Sequence, residues 1–193
     1  MNLFYILFGL YISFAAYILL RFPLGYVVIW LNKRHNLLAH LFFKIVTRGG
    51  ESYLYALAAF MAWWYKGISI WPFLVMFGAD FLLVQSSKHI FLKHLRRPRK
   101  ILEAQNVALK FVPGIKTHGY RTFPSGHTTT AFAIANSLSH IFMLPWLSVL
   151  MFVYAGLVGT SRMYLVQHFF RDVFFGSIIG FLIAEFIYYL MIA

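Results

Sequence analysis

The chain has 193 residues, 61% hydrophobic, 20% aromatic and only 11% charged. Soluble domains carry about 25% charged residues, so this chain cannot clothe itself for water and reads as one membrane-embedded domain over residues 1–193. Seventeen lysines and arginines against five acids give a net charge of +12, which points to an anionic partner, lipid headgroups rather than nucleic acid, and the lack of cysteine excludes disulfides and thiolate metal sites.

A helix crossing a bilayer core of about 30 Å needs roughly 20 mostly apolar residues. In chain order, Leu3–Leu20 is the first such run, and with no basic residue before it we expect a retained span. Residues 21–51 follow. Leu38, Leu41, Phe42 and Ile45 share one helical face there, and Asn36, His40, Lys44 and Arg48 another. That pattern fits a helix in the membrane interface, and equally a helix capping the bundle. Tyr53–Tyr65 is short for a span; Lys66-Gly67 predicts a tight turn from it into Ile68–Ser86. The second polar segment, 88–123, holds nine basic residues, with a short amphipathic helix expected over Ile101–Phe111. Thr128–Leu144 and Trp146–Ser161, parted by Pro145, and finally Val173–Ile192 complete an expected bundle of six transmembrane helices. Six crossings put 16 of the 17 cations on one face, leaving Lys66 alone on the other.

Three clusters on that face can carry chemistry. Pro124-Ser125-Gly126-His127 leads into the fourth span. Proline suits a first helical turn, glycine permits close backbone approach, and free amides at a helix start attract phosphate. His127 stands where it can protonate a leaving oxygen, although an ordinary helix start with an interfacial histidine has the same sequence. Next is Ser161-Arg162, five residues, His168, three residues, Asp172. Asp172 is one helical turn past His168; its carboxylate can hold one ring N–H and leave the other nitrogen a lone pair for attack. Arg162 offers a planar fork for phosphate oxygens. The remaining cluster, Lys88, His89, Lys93, His94, Arg96, Arg97, Pro98, Arg99 and Lys100, taken alone is a juxtamembrane stretch for anionic lipid.

Together the clusters resemble the signature of the type 2 phosphatidic acid phosphatase superfamily: a Lys…Arg-Pro block, then Pro-Ser-Gly-His, then Ser-Arg-x5-His-x3-Asp. The resemblance covers about residues 50–192. It departs in the first block, where eight residues, in place of the usual six, separate Lys88 from Arg97-Pro98. We carry that block's roles to Lys88 and Arg97, with Lys93 and Arg99 as alternatives. The resemblance implies an all-α bundle that removes phosphate from an anionic membrane lipid through a phosphohistidine. His168 is then the nucleophile and Asp172 its orienter. Lys88, Arg97, Arg162, Ser125 and Gly126 hold the phosphate oxygens, and His127 is the acid and base. No metal or cofactor is expected, since side-chain cations neutralise the developing charge.

A phosphotransferase would use the same residues, and a non-catalytic lipid-binding protein or a transporter are the other classes. Asp80, His140 and Glu185 fall inside predicted spans, where ionisable groups are functional candidates; structural hydrogen bonding is the expectation. A dense basic face suits a lipid of several charges, such as lipid A or undecaprenyl diphosphate. The cation excess places that face in the cytoplasm, whereas the resemblance implies the periplasmic face of the inner membrane, and we follow the resemblance.

Overall fold

Each apolar run becomes one helix. The computed structural model describes residues 2–192, so Met1 and Ala193 of the expected 1–193 domain lie outside the described residues. The elements are α1 (Leu3–Arg21), α2 (Tyr26–Asn32), α3 (Leu37–Val46), a 3₁₀ turn (Thr47–Gly50), α4 (Leu54–Lys66), α5 (Trp71–Ser86), a π turn (Ser87–Phe91), α6 (Pro98–Ala104), α7 (Gly126–Phe142), α8 (Pro145–Tyr164) and α9 (Phe170–Met191). α1, α8 and α9 are long and apolar enough to cross a membrane; α4, α5 and α7, of 13, 16 and 17 residues, are the other three expected spans.

The punctuation is local chemistry. Gly67 ends α4 in the left-handed region at φ +66°, where a residue without Cβ is unstrained. Pro145 opens α8 at its first turn, after Met143 has turned the chain at φ +53°. The segment 21–51 divides into two helices and a 3₁₀ turn, and α3 leaves Leu38, Leu41, Phe42 and Ile45 exposed, as an interfacial helix does. Trp63, Trp64, Tyr65, Trp71 and Trp146 are exposed around the α4–α5 and α7–α8 turns, in the manner of an aromatic belt at a membrane surface.

α7 is the axis of the bundle. Residues from Thr128 to Ser139 are buried on every side, enclosed mainly by α8 and α9. Small residues allow this. A Cβ on Gly180 would stand 2.2 Å from the Thr129 carbonyl oxygen, and one on Gly176 2.8 Å from that of Ser125. The Gly176-x3-Gly180 stripe thus lets two backbones meet, the arrangement that drives helix association in lipid. Towards the other end, Glu185 accepts hydrogen bonds from Asn136 (2.6 Å) and Tyr5, with His140 Nε2 3.2 Å away, tying α1, α7 and α9. Glu185 thus ties three helices by hydrogen bonds, while His140 Nε2 lies beside it without a hydrogen bond among the described residues.

Three expectations need correction. The helix anticipated over Ile101–Phe111 runs Pro98–Ala104, because Pro98 starts it and Asn106, at φ +59°, turns the chain away. Pro124 is outside α7, which begins at Gly126 with Ser125 as its N-cap. His168 precedes α9, whose N-cap is Phe169, so His168 and Asp172 do not share a helix turn.

Candidate active site

The site gathers at the end of the bundle where α5 and α8 stop and α7 and α9 begin. After α8, Leu165–Phe169 forms a tight link in which Val166 adopts φ +56°. The amides of Gln167 and His168 both donate to the Arg162 carbonyl, at 2.9 and 3.2 Å. That turn sets His168 back beside Arg162; His168 is 2% exposed and Arg162 9%.

Asp172 sits in the first turn of α9, fully buried. Its Oδ2 accepts from the Phe169 amide at 2.8 Å, half of a capping box, and from the Thr122 hydroxyl. His168 Nδ1 lies 3.7 Å from the same oxygen, within about an ångström of hydrogen-bond length. His168 Nδ1, Asp172 Oδ1 and Arg162 Nε have no hydrogen-bond partner among the described residues. Burial first, then the charges of Arg97, Arg162 and Lys88, hold the His168 imidazole well below its ordinary value. The ring is neutral at neutral pH and keeps a lone pair.

Ser125 is buried, and its amide donates to the Asp172 carbonyl at 3.0 Å, locking the start of α7 to the start of α9. Its hydroxyl is 2.8 Å from that of Thr128. Gly126 and His127 open into a cleft of about 380 Å³ that Lys88, Glu51 and Asp80 also line. Lys88 Nζ is 3.4 Å from where a Cβ of Gly126 would stand. Burial, followed by Arg97 and Arg162, pushes the Lys88 ammonium down to about 8. Lys88 therefore shares the cleft of Gly126 and His127. Lys93 is exposed on the wall of a basin that also meets Lys88 and Arg97, and Arg99 bonds Glu103 and Thr117 on the surface, at 3.1 and 3.0 Å. The π turn that carries Lys88, closed by Leu92 N–H to the Ser87 carbonyl at 2.8 Å, takes up part of the extra spacing before Arg97.

Arg97 is 9% exposed, and its fork is largely engaged by the protein. Nε donates to the Tyr120 carbonyl (2.9 Å), Nη1 to the carbonyl and side chain of Gln167 (3.1 and 2.8 Å), and Nη2 to the Arg121 carbonyl (3.4 Å). With five N–H groups in a guanidinium, one has no acceptor among the described residues. All eight expected site residues thus lie at this end of the bundle.

The sequence did not reveal their supports. Thr47 accepts from Arg162 Nη1, Thr122 holds Asp172, and Gln167 clamps Arg97. The 3₁₀ turn presses on His127: a Cβ on Gly50 would be 2.5 Å from His127 Cβ, and Tyr154 donates to the Gly49 carbonyl. Gly49-Gly50 is the signal that could have marked this close approach. Among the described residues no group of three His, Asp or Glu side chains is placed to hold a metal ion.

A sequence profile of the PAP2 superfamily matches residues 69–193. Over 71 residues the chain is 38% identical to a protein of Porphyromonas gingivalis named lipid A 1-phosphatase, covering 36% of this chain and 16% of that one. Over 98 residues it is 34% identical to lipid phosphate phosphatase 2 of Arabidopsis thaliana, covering 44% of this chain and 33% of the relative. The chain therefore spans a third or less of these curated relatives. The crystal structure of Aquifex aeolicus LpxE superposes with a TM-score of 0.74 at 27% identity, over 86% of this chain and 96% of that one. A PAP2-type phosphatidylglycerolphosphate phosphatase from Bacillus subtilis shares the fold, with a TM-score of 0.65 at 23% identity over 97% and 94% of the two chains. With the family profile covering well over half of its length, the chain belongs to the PAP2 superfamily, as an all-helical integral membrane protein.

Proposed function

We propose that the protein is a single-domain, metal-independent lipid phosphatase acting through a phosphohistidine. What carries the reading is the setting of His168: a neutral imidazole whose Nδ1 faces Asp172, ringed by Arg97, Arg162 and Lys88. Nε2 of His168 attacks phosphorus and forms the N–P bond as the bond to the leaving oxygen breaks; Asp172 takes the Nδ1 proton's share of the developing charge. Lys88, Arg162, the free N–H of Arg97, the Ser125 hydroxyl and the Gly126 amide stabilise the equatorial oxygens. His127 gives its proton to the leaving oxygen, then takes one from the water that cleaves the phosphoenzyme and frees inorganic phosphate.

The substrate is an anionic lipid monoester or pyrophosphate, lipid A-type or undecaprenyl diphosphate first. Similarity to a lipid A 1-phosphatase and to LpxE supports the former. The site faces the periplasm from the inner membrane. Phosphate release should be measured across lipid A, undecaprenyl diphosphate, phosphatidate and phosphatidylglycerol phosphate, with and without exhaustive chelation. Turnover of at least one lipid, unaffected by chelator, is expected; a strict need for added magnesium or zinc contradicts the mechanism.

A further inference from the structure

Asp80 is a carboxylate within α5, two turns before Lys88 and 5% exposed. Tyr55 from α4 and Thr130 from α7 both donate to its Oδ2, at 3.1 and 2.6 Å. Oδ1 receives no hydrogen bond from the described residues, and the side chain lines the same cleft as Lys88, Gly126 and His127. Thr130 follows His127 by three residues, so the carboxylate stands about 4.5 Å further along α7, one turn deeper into the membrane.

Beyond Asp80 the surroundings change. Ser52 and Phe77 line both this cleft and a second cavity of about 450 Å³, walled by Tyr55, Ala59, Phe60 and Trp63 between α4 and α5. A path inward from the phosphate site thus leaves the cations, meets Asp80, with Glu51 also on the cleft wall, and then passes into hydrocarbon. Joining three helices requires an acceptor but no charge, and a charge inside a membrane is costly. A serine or asparagine would make the tie; the second, unengaged oxygen calls for another donor.

Resting on the phosphatase reading above, we infer that Asp80 is a specificity-determining residue. Its Oδ1 accepts a hydrogen bond from a hydroxyl or amide N–H on the first unit beyond the scissile phosphate, a sugar or a glycerol, while the lipid chains lie in the α4–α5 cavity. The favoured class is therefore a glycosyl phospholipid, or one whose phosphate-bearing glycerol keeps a free hydroxyl, as in phosphatidylglycerol phosphate; phosphatidate, whose glycerol is fully esterified, offers no donor. A polyprenyl phosphate has no donor at that position and leaves the carboxylate unanswered, the situation in which polar sites discriminate most strongly.

The test uses the purified full-length protein in detergent micelles, with lipid A, which carries an amide N–H beside its 1-phosphate, and undecaprenyl diphosphate, which carries none. The quantity read is the ratio of kcat/KM for the two lipids in the wild type, Asp80→Asn and Asp80→Ala. That ratio does not depend on the fraction of protein that folds. Asp80→Ala should lower it about 10- to 100-fold, the scale of one hydrogen bond to a charged group, with Asp80→Asn falling between. A ratio that stays put while both activities fall makes Asp80 a helix tie and overturns the inference, as does a wild type that prefers undecaprenyl diphosphate. A wild type inert towards every phospholipid in the panel instead overturns the phosphatase reading on which the inference stands.

Discussion

His168 Nδ1 stands 3.7 Å from Asp172 Oδ2, an oxygen already held by the Phe169 amide and the Thr122 hydroxyl. The carboxylate is held in place by those two donors, so the mechanism proposed above has it orient the imidazole without needing to move. His168→Ala should abolish turnover in a protein that still folds, and quenching the wild type with labelled lipid should trap an acid-labile phosphoenzyme. Asp172→Asn should cost about two to four orders of magnitude in kcat. Full activity in His168→Ala sinks the nucleophile assignment.

Thr122 acts one step behind. Thr122→Val keeps the shape and removes the donor, leaving Asp172 with the Phe169 amide alone. The expected result is a fall of roughly tenfold in kcat with little change in KM, and a loss of about 1–3 kcal/mol in stability for a buried acceptor left short. An unchanged kcat in chemical denaturation-matched samples tells against a positioning role.

Lys88 provides a pH signature. Its ammonium, pushed down to about 8, is charged below that pH and neutral above it. With the charged form holding phosphate, as proposed above, kcat/KM should fall as pH rises through about 8, and Lys88→Arg should carry that limb to higher pH. Lys88→Ala should cost more than Lys93→Ala, and Arg162→Ala about 10²–10³ in rate. The reverse order of the two lysines puts the first block in the wrong register.

Gly50 is packed against His127 more closely than any side chain allows. Gly50→Ala should therefore displace the start of α7 or the 3₁₀ turn, lowering activity and costing about 1–3 kcal/mol as overpacking does. Thermal melts and phosphate release on the same sample read both effects; a variant as active and stable as the wild type contradicts the contact.

Orientation is decided by reporters. With the site periplasmic and an even number of crossings, a reporter active only in the cytoplasm and fused after Ala193 should give signal. Silence there, with signal from a periplasm-specific reporter at the same position, reverses the orientation and leaves the chemistry intact.

The motif residues were legible because their spacing is short: Ser125, Gly126 and His127 are consecutive, and His168 and Asp172 are four apart. Their supports were not, because they come from afar. Thr47 lies 115 positions from Arg162, Gln167 is 70 from Arg97, and Thr122 is 50 from Asp172. The local pattern of the sequence located α1, α4, α5, α7, α8 and α9 from their apolar runs, but it misplaced α6, where Pro98 and Asn106 set the ends. It also put His168 on a helix turn, when the left-handed Val166 and the Phe169 cap hold it in a link. Asp80 stood out in the sequence as a buried charge, yet only its position between Tyr55, Thr130 and the cleft gives it a task.

The bond from the Ser125 amide to the Asp172 carbonyl has a consequence for biogenesis. Translation delivers α7 before α9, so Ser125, Gly126 and His127 reach the bilayer ahead of Asp172. Gly176 and Gly180 must then seat α9 along α7 before Asp172 can reach Ser125. Until α9 is seated along α7 the Ser125–Asp172 bond cannot form, so the starts of the two helices lock together only once both are in the membrane.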